Sequence, residues 1–424
     1  MRIRSIFMFL LGDRESILEL AHSRWTLLVG GLLVLSAGLA RNYDGEDLVR
    51  EPWYLLGPFG ASIATSAGLF TLLLIIARVR GGRRAKVWAS WRLYPRFLAL
   101  YWMTAPLAWL YAVPYERFTT PVHAIEANLW TLMVVAAWRV LVIARVVSIL
   151  TKTQYWPVLL WTACYGAGAM FLAALVSPRP VLDLMGGLGL PPEDRMLASA
   201  MLNLTIASCF ATPALLTLAV VFSRQMSPKW PPPFPSHQQV SARSPLALAA
   251  IGVLAWLPSL IVAQPEQRLR HDVEAAMDRG DVSSGLAVIS AHARHEFPPG
   301  WRPPPLMGPR HSQAILPKIC AEIDAHGAAP WVIDNYVRQT QEWLNRHLPM
   351  GPYNPGRLWT LGIEKRFEQW RDFPKTPFLK SDVGVRFLLR HDPTVTPLVR
   401  ERIERMLETP GFIGPNGYSE EDYW

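Results

Sequence analysis

The chain has 424 residues, of which 51% are hydrophobic and 18% charged, with a net charge of +9 and a mean hydropathy of +0.16. That charged share is low for a soluble protein, where about a quarter is usual. Residues 264–424 carry 20 Lys+Arg against 21 Asp+Glu, so the basic excess lies in the first 263 residues, net +10; this argues against a basic nucleic-acid-binding domain.

Residues 1–24 open MRIRSIFMFLLG and continue DRESILELAHSR. The first piece has the outline of a signal peptide, but its apolar run of about seven residues is at the lower limit and no small-residue cleavage site follows. It reads better as a cytoplasmic interfacial segment with Arg2 and Arg4 at headgroup level. Asp13 is placed to cap a second short helix.

Seven apolar segments follow over residues 25–263, at 25–40, 53–77, 97–113, 129–150, 155–176, 196–222 and 245–263. At ~1.5 Å per residue each approaches or exceeds the thickness of a bilayer core of about 30 Å, and 25–40 is the shortest. Trp25, Trp53, Trp130 and Trp156 mark segment ends, as an aromatic belt does. Gly60, Ala64 and Gly68 recur at four-residue spacing, a pattern that lets helices pack closely in lipid. Pro106, Pro213 and Pro258 interrupt three segments. Basic residues in the connections divide fifteen to five between the two sides. By the positive-inside rule the N-terminus is cytoplasmic and, after seven crossings, residues 264–424 lie outside. The Pro-rich stretch 223–243 reads as an extended tether.

Residues 264–424 read as helical. Segments 266–279 and 282–295 form a helical hairpin around Gly280–Asp281, followed by FPPGWRPPPLMGP. Further helices are predicted at 313–325, 331–348, 358–371, 379–390 and 397–408, the last with Thr396 as N-cap and Pro397 at its first position. Trp331, Tyr336, Trp343, Leu344, Trp359, Phe367 and Trp370 supply a core, and GFIGPNGYSEEDYW closes the chain. The fold class is therefore all-α: a polytopic helical membrane protein of about seven spans, followed by a small all-helical soluble domain.

Arg139 is the chemical focus. It sits near the middle of segment 129–150, and no other segment contains an Asp, Glu or Lys. A charge at that depth is expensive. Its possible partners are the outer-loop acids Asp44, Glu46, Asp47 and Glu51, then Glu126, backbone carbonyls, water or an anionic ligand. Two readings stay open: a structural arginine, or an anion or lipid-headgroup site. A voltage sensor needs a basic residue at every third position, and Val142 breaks that series. Arg145 lies close enough to the cytoplasmic end to reach headgroups.

Other constellations are weaker. Asp44, Glu46 and Asp47 are hard-cation ligands by type, but their spacing matches no full calcium loop. His292, His295 and Glu296, with His271 or His311, offer metal ligands without HExxH order. Three cysteines, Cys164, Cys209 and Cys320, build neither a disulfide framework nor a zinc site. No Walker, GxSxG or dinucleotide glycine pattern occurs, and Gly186–Gly189 lacks the preceding strand. Asn203-Leu204-Thr205 matches the glycosylation acceptor pattern but lies inside segment 196–222. The expectation is a non-enzymatic protein of the cell membrane with no cofactor and no metal. Its bundle anchors, scaffolds or senses, and its outer domain binds a protein partner. The alternatives are a transporter or channel whose anionic or lipid-like cargo meets Arg139, and an enzyme acting on a lipid-linked substrate.

Overall fold

The structure is a computed structural model that describes residues 3–81, 91–176, 192–223, 243–304, 311–347, 382–393, 395, 397, 400, 401 and 404. Among these residues every regular element is a helix. Six helical stretches are long and apolar enough to cross a membrane: Pro52–Val79, Trp91–Arg117, Pro121–Thr151, Tyr155–Ala174, Met196–Phe222 and Leu246–Asp278. The chain is an all-α membrane protein. It divides into two compact units, 1–181 with 196–265 and 182–195 with 266–424.

In the first unit the helices are α1 (Ile3–Leu10), α2 (Arg14–His22), α3 (Thr26–Asn42), α4 (Gly57–Gly81), α5 (Tyr94–Trp102), α6 (Pro121–Thr151), α7 (Tyr155–Val176), α8 (Pro192–Phe222) and α9 (Arg243–Leu254), with the start of α10 (Leu257–Asp278). Side-chain bonds fix their directions. Trp109 donates to Ser36 at 2.9 Å and Tyr43 to the Ala112 carbonyl at 3.1 Å, so α3 runs parallel to the third span. Trp102 bonds Ser62 and Tyr94 bonds Ser66, so α4 is antiparallel to that span. Tyr115 meets Thr131, and Tyr101 lies under Arg139, so α6 is antiparallel to it as well. Tyr165 reaches the Thr65 carbonyl while Trp161 packs with Ile76, which sets α7 antiparallel to α4. Trp161 bonds Ser223 and Cys164 the Thr212 carbonyl, reversing direction again in α8. Gly252 faces Ser36 and Gln264 bonds the Tyr43 and Glu46 carbonyls, so α9–α10 returns parallel to α3. Seven segments thus alternate, and α3 is one of them despite its 17 residues. The shortest segment is also the most enclosed. Val29, Leu33 and Ala40 are fully buried, and a Cβ on Gly30 would press on Trp102.

Several elements depart from the sequence reading. The third span is broken: α5 ends at Trp102, and a 3-10 helix runs Ala105–Ala112, because Pro106 lacks the N–H that an α-helix needs there. The fourth span starts eight residues earlier than its apolar stretch, at Pro121, whose fixed φ suits the first helical position. The seventh segment is two helices, and α10 continues through Pro265 to Asp278, so 266–279 is not a separate helix. The N-terminal segment packs its apolar side against the other helices of the unit. Ile6, Phe9, Ile17 and Leu20 are buried in one cluster with Leu33, Leu100, Val135 and Val142. Trp138 donates to the Leu10 carbonyl and Arg145 to that of Gly12, whose φ of +78° suits glycine at this tight turn. Asp13 does cap α2, accepting the Ser16 N–H at 2.9 Å.

The second unit contains the rest of α10, then α11 (Val282–Ala291), α12 (His311–His326), α13 (Pro330–His347) and α14 (Asp382–His391). The expected hairpin turns at Gly280, φ +78°, with Asp281 capping α11 through the Ser284 N–H. Val273, Met277, Ile289, Phe297, Ile319, Tyr336 and Phe387 form its core. The Pro-rich connection is strapped down by carbonyl acceptors: Tyr336 donates to Pro304 and Gln339 to Pro303, both at 2.6 Å. Segment 358–371, most of 397–408 including Thr396, the closing GFIGPNGYSEEDYW, the loop 224–242 and Gly186–Gly189 lie outside the described residues.

Candidate functional site at mid-height of the bundle

In lipid, helix packing and polar contacts rather than hydrophobic burial hold helices together. On α4 the sequence SIATS places Ser62, Thr65 and Ser66 on adjoining positions of one side of the helix. Aromatic side chains from two neighbouring spans bond to that side. Trp102 donates to Ser62 at 2.9 Å, Tyr94 and Ser66 share a bond of 3.0 Å, and Tyr101 and Thr65 one of 3.1 Å. Tyr165 donates to the Thr65 carbonyl at 2.8 Å.

Arg139 sits against this ladder. Its guanidinium carbon lies 4.5 Å from the centre of the Tyr101 ring. Its Nε is buried without a hydrogen-bond partner, and among the described residues Arg139 forms no ion pair. The midpoints of the spans Pro52–Val79, Trp91–Arg117, Pro121–Thr151 and Tyr155–Ala174 fall near positions 65, 104, 136 and 164. Thr65, Tyr101, Arg139 and Tyr165 are therefore all within about 5 Å of mid-height. Four spans bring one polar cluster to the level where polarity costs most. Insertion scales put a central arginine at roughly 3 kcal/mol. A desolvated cation–π contact returns about 2 kcal/mol, and a buried N–H left unpaired costs about 1–3 kcal/mol. Among the described residues, the contacts that Arg139 makes leave it uncompensated.

Among the described residues none of the acids proposed as its partners pairs with Arg139. Asp47 is fully buried, and its Oδ1 accepts the N–H groups of Val49 and Arg50 at 3.1 and 3.2 Å, which holds the turn after α3. Glu46 gives its carbonyl to Gln264. Asp44 and Glu51 belong to the same loop, at the Tyr43 end of α3, where Tyr43 stacks on Trp256. Glu126 is exposed near the start of α6, thirteen positions and about 20 Å before Arg139. Among the described residues the loop 41–52 is pinned to the C-terminal end of α3 and to Gln264 of α10, and none of its acids forms an ion pair with Arg139. Of the small-residue stripe, Gly68 meets another helix, where Tyr165 occupies the space a Cβ would need. Gly60 has open space around it and Ala64 is exposed.

In the second unit His292 pairs with Glu296 at 3.0 Å. This contact and the Ala293 N–H hold the Glu296 carboxyl below its ordinary pKa. Among the described residues no three His, Cys, Asp or Glu come together as a metal site. Cys320 is fully buried, and burial pushes its thiol up to about 12.

Sequence reasoning found Arg139 but missed Thr65, Tyr101 and Tyr165. The available signal was the SIATS hydroxyl pattern in one span beside Tyr94 and Tyr101, seven residues apart, in the next. Comparison with family models, with curated proteins and with solved structures gives no match to this chain.

Proposed function

We propose that the bundle is a transport protein for an anionic or lipid-like cargo, and that the cargo's negative group is held by Arg139 at mid-depth. The observation that carries this reading is a mid-height guanidinium with a buried, unpartnered Nε and, among the described residues, no acid paired with it. An anion supplies the missing charge and acceptor together. The break at Met103–Thr104, just past Tyr101, supports it, because discontinuous helices commonly line transport sites. In this reading the bundle lies in a cell membrane with its N-terminus cytoplasmic and the second unit outside, which the excess of basic residues in the loops of one side supports.

Native mass spectrometry of the purified protein tests it. Wild type is expected to retain an anionic phospholipid or to take up inorganic phosphate, and the two probes tell a lipid headgroup from a free anion. Arg139→Gln is expected to lose the adduct while inserting normally. Equal adducts on both proteins, or none on wild type with either probe, sink the proposal.

A second reading is an anchored scaffold whose outer unit binds a protein partner. It is favoured by the separate compact core of the second unit. Cross-linking in intact cells followed by purification tests this reading, and recovery of the protein always alone counts against it.

A further inference from the structure

α8 differs from the other spans in how little of it the chain covers. In its most apolar stretch only 11% of residues are buried, against 39% in α6. One side is exposed along its length: Asn203, Ile206, Ala207, Phe210, Ala214 and Thr217, at the three- and four-residue steps of a single helical face. Most of that face is what lipid requires. Asn203 is not. It lies six residues, about 9 Å, from the span's midpoint at 209, inside a bilayer core of about 30 Å.

Several other polar groups at such depth bond within the chain. Thr65, Thr71 and Thr217 each donate to a carbonyl four residues back, so their exposure costs little. Asn128 bonds Glu116, and Gln264 bonds the loop after α3. The Asn203 amide has no partner among the described residues. An amide facing hydrocarbon with two donors and an acceptor unmet is unfavourable until another helix meets it.

We infer that α8 is a homodimer contact in which Asn203 bonds Asn203 of a second copy. The chemistry favours a second copy because a carboxamide is self-complementary: the oxygen of one accepts the N–H of the other. The geometry agrees. Copies in one membrane share one topology, so a two-fold axis along the membrane normal brings Asn203 to its own equivalent at the same depth. Ala207, one turn along on the same face, lets the helices approach closely beside it.

Full-length protein reconstituted sparsely in phosphatidylcholine bilayers, with subunits counted by single-molecule photobleaching, tests this. Wild type is expected to dimerise. Asn203→Leu is expected to weaken the dimer roughly ten-fold, and Asn203→Gln, which keeps the amide, to retain it. Ala207→Cys in a Cys209→Ser background is expected to cross-link on oxidation. A monomeric wild type, an unchanged dimer in Asn203→Leu, or a dimer without the cross-link overturns the inference. Loss of Arg139 ligand binding has no bearing on this result, so the two proposals fail separately.

Discussion

Ile261 and Ile289 lie in neighbouring helices of one chain and obey opposite rules. Ile261, on α10 in the first unit, is 76% exposed, whereas Ile289, on α11 in the second, is 0% exposed. The first unit turns large apolar side chains outward and bonds its hydroxyls inward along α4. The second buries its apolar residues around Tyr336 and Phe297. The difference is one of solvent. Lipid rewards an apolar exterior and makes interior polar contacts the specific ones; water does the reverse. An arginine on the second unit's surface is therefore unremarkable, while Arg139 and Asn203 in the first are anomalies that call for partners.

Substitutions should separate the two regimes. The largest effect is expected in the water-type core. Phe297→Ala removes a ring stacked on Trp301 at 4.7 Å and should cost about 3–5 kcal/mol, read as early proteolysis of the second unit with the spans still inserted. Next is the lipid-type seam. Gly68→Val forces a side chain against Tyr165 and should cost about 1–3 kcal/mol of thermal stability in detergent, whereas Gly60→Val, in open space, should be silent. Equal effects at the two glycines would contradict the packing described. Smaller still is Tyr101→Phe, which keeps the ring under Arg139 and loses only the Thr65 bond, about 0.6 kcal/mol.

The second unit also carries a pH test. Burial raises the Cys320 thiol from 9.0 to about 12, so the folded state holds that proton more tightly than the unfolded chain. The stability this contributes is complete below pH 9 and falls as pH rises from 9 towards 12. Cys320→Ala should flatten the alkaline side of the melting curve. In the wild type Cys320 should stay inert to maleimide until the unit unfolds.

Much of this division was legible in the sequence. Apolar length and loop charge gave the spans, and the bounds of α7 coincide with the expected 155–176. Gly280–Asp281 and Asp13 announced a turn and a cap by local chemistry. What escaped was anything set by tertiary contact. The amphipathic N-terminal pair reads as interfacial because its apolar stripe fits a lipid surface as well as it fits α3 and α6. Asp47 looked like a free acid because its role, holding two backbone N–H groups, depends on the local turn. Arg139 stood out alone because one charge in an apolar run is visible, whereas the hydroxyls that share its level come from three other spans. Nothing in the chain's order says that positions 65, 101, 139 and 165 meet.

The central claim is that Arg139 is uncompensated by the protein and is completed by an anion. Melting temperatures of wild type and Arg139→Gln in uncharged detergent, each with and without added anionic phospholipid, test it most directly. The account predicts that the lipid raises the wild-type melting temperature and leaves the variant unmoved, and that without lipid the variant is at least as stable as wild type. A variant that melts far below wild type in both conditions would contradict it and make Arg139 a structural residue.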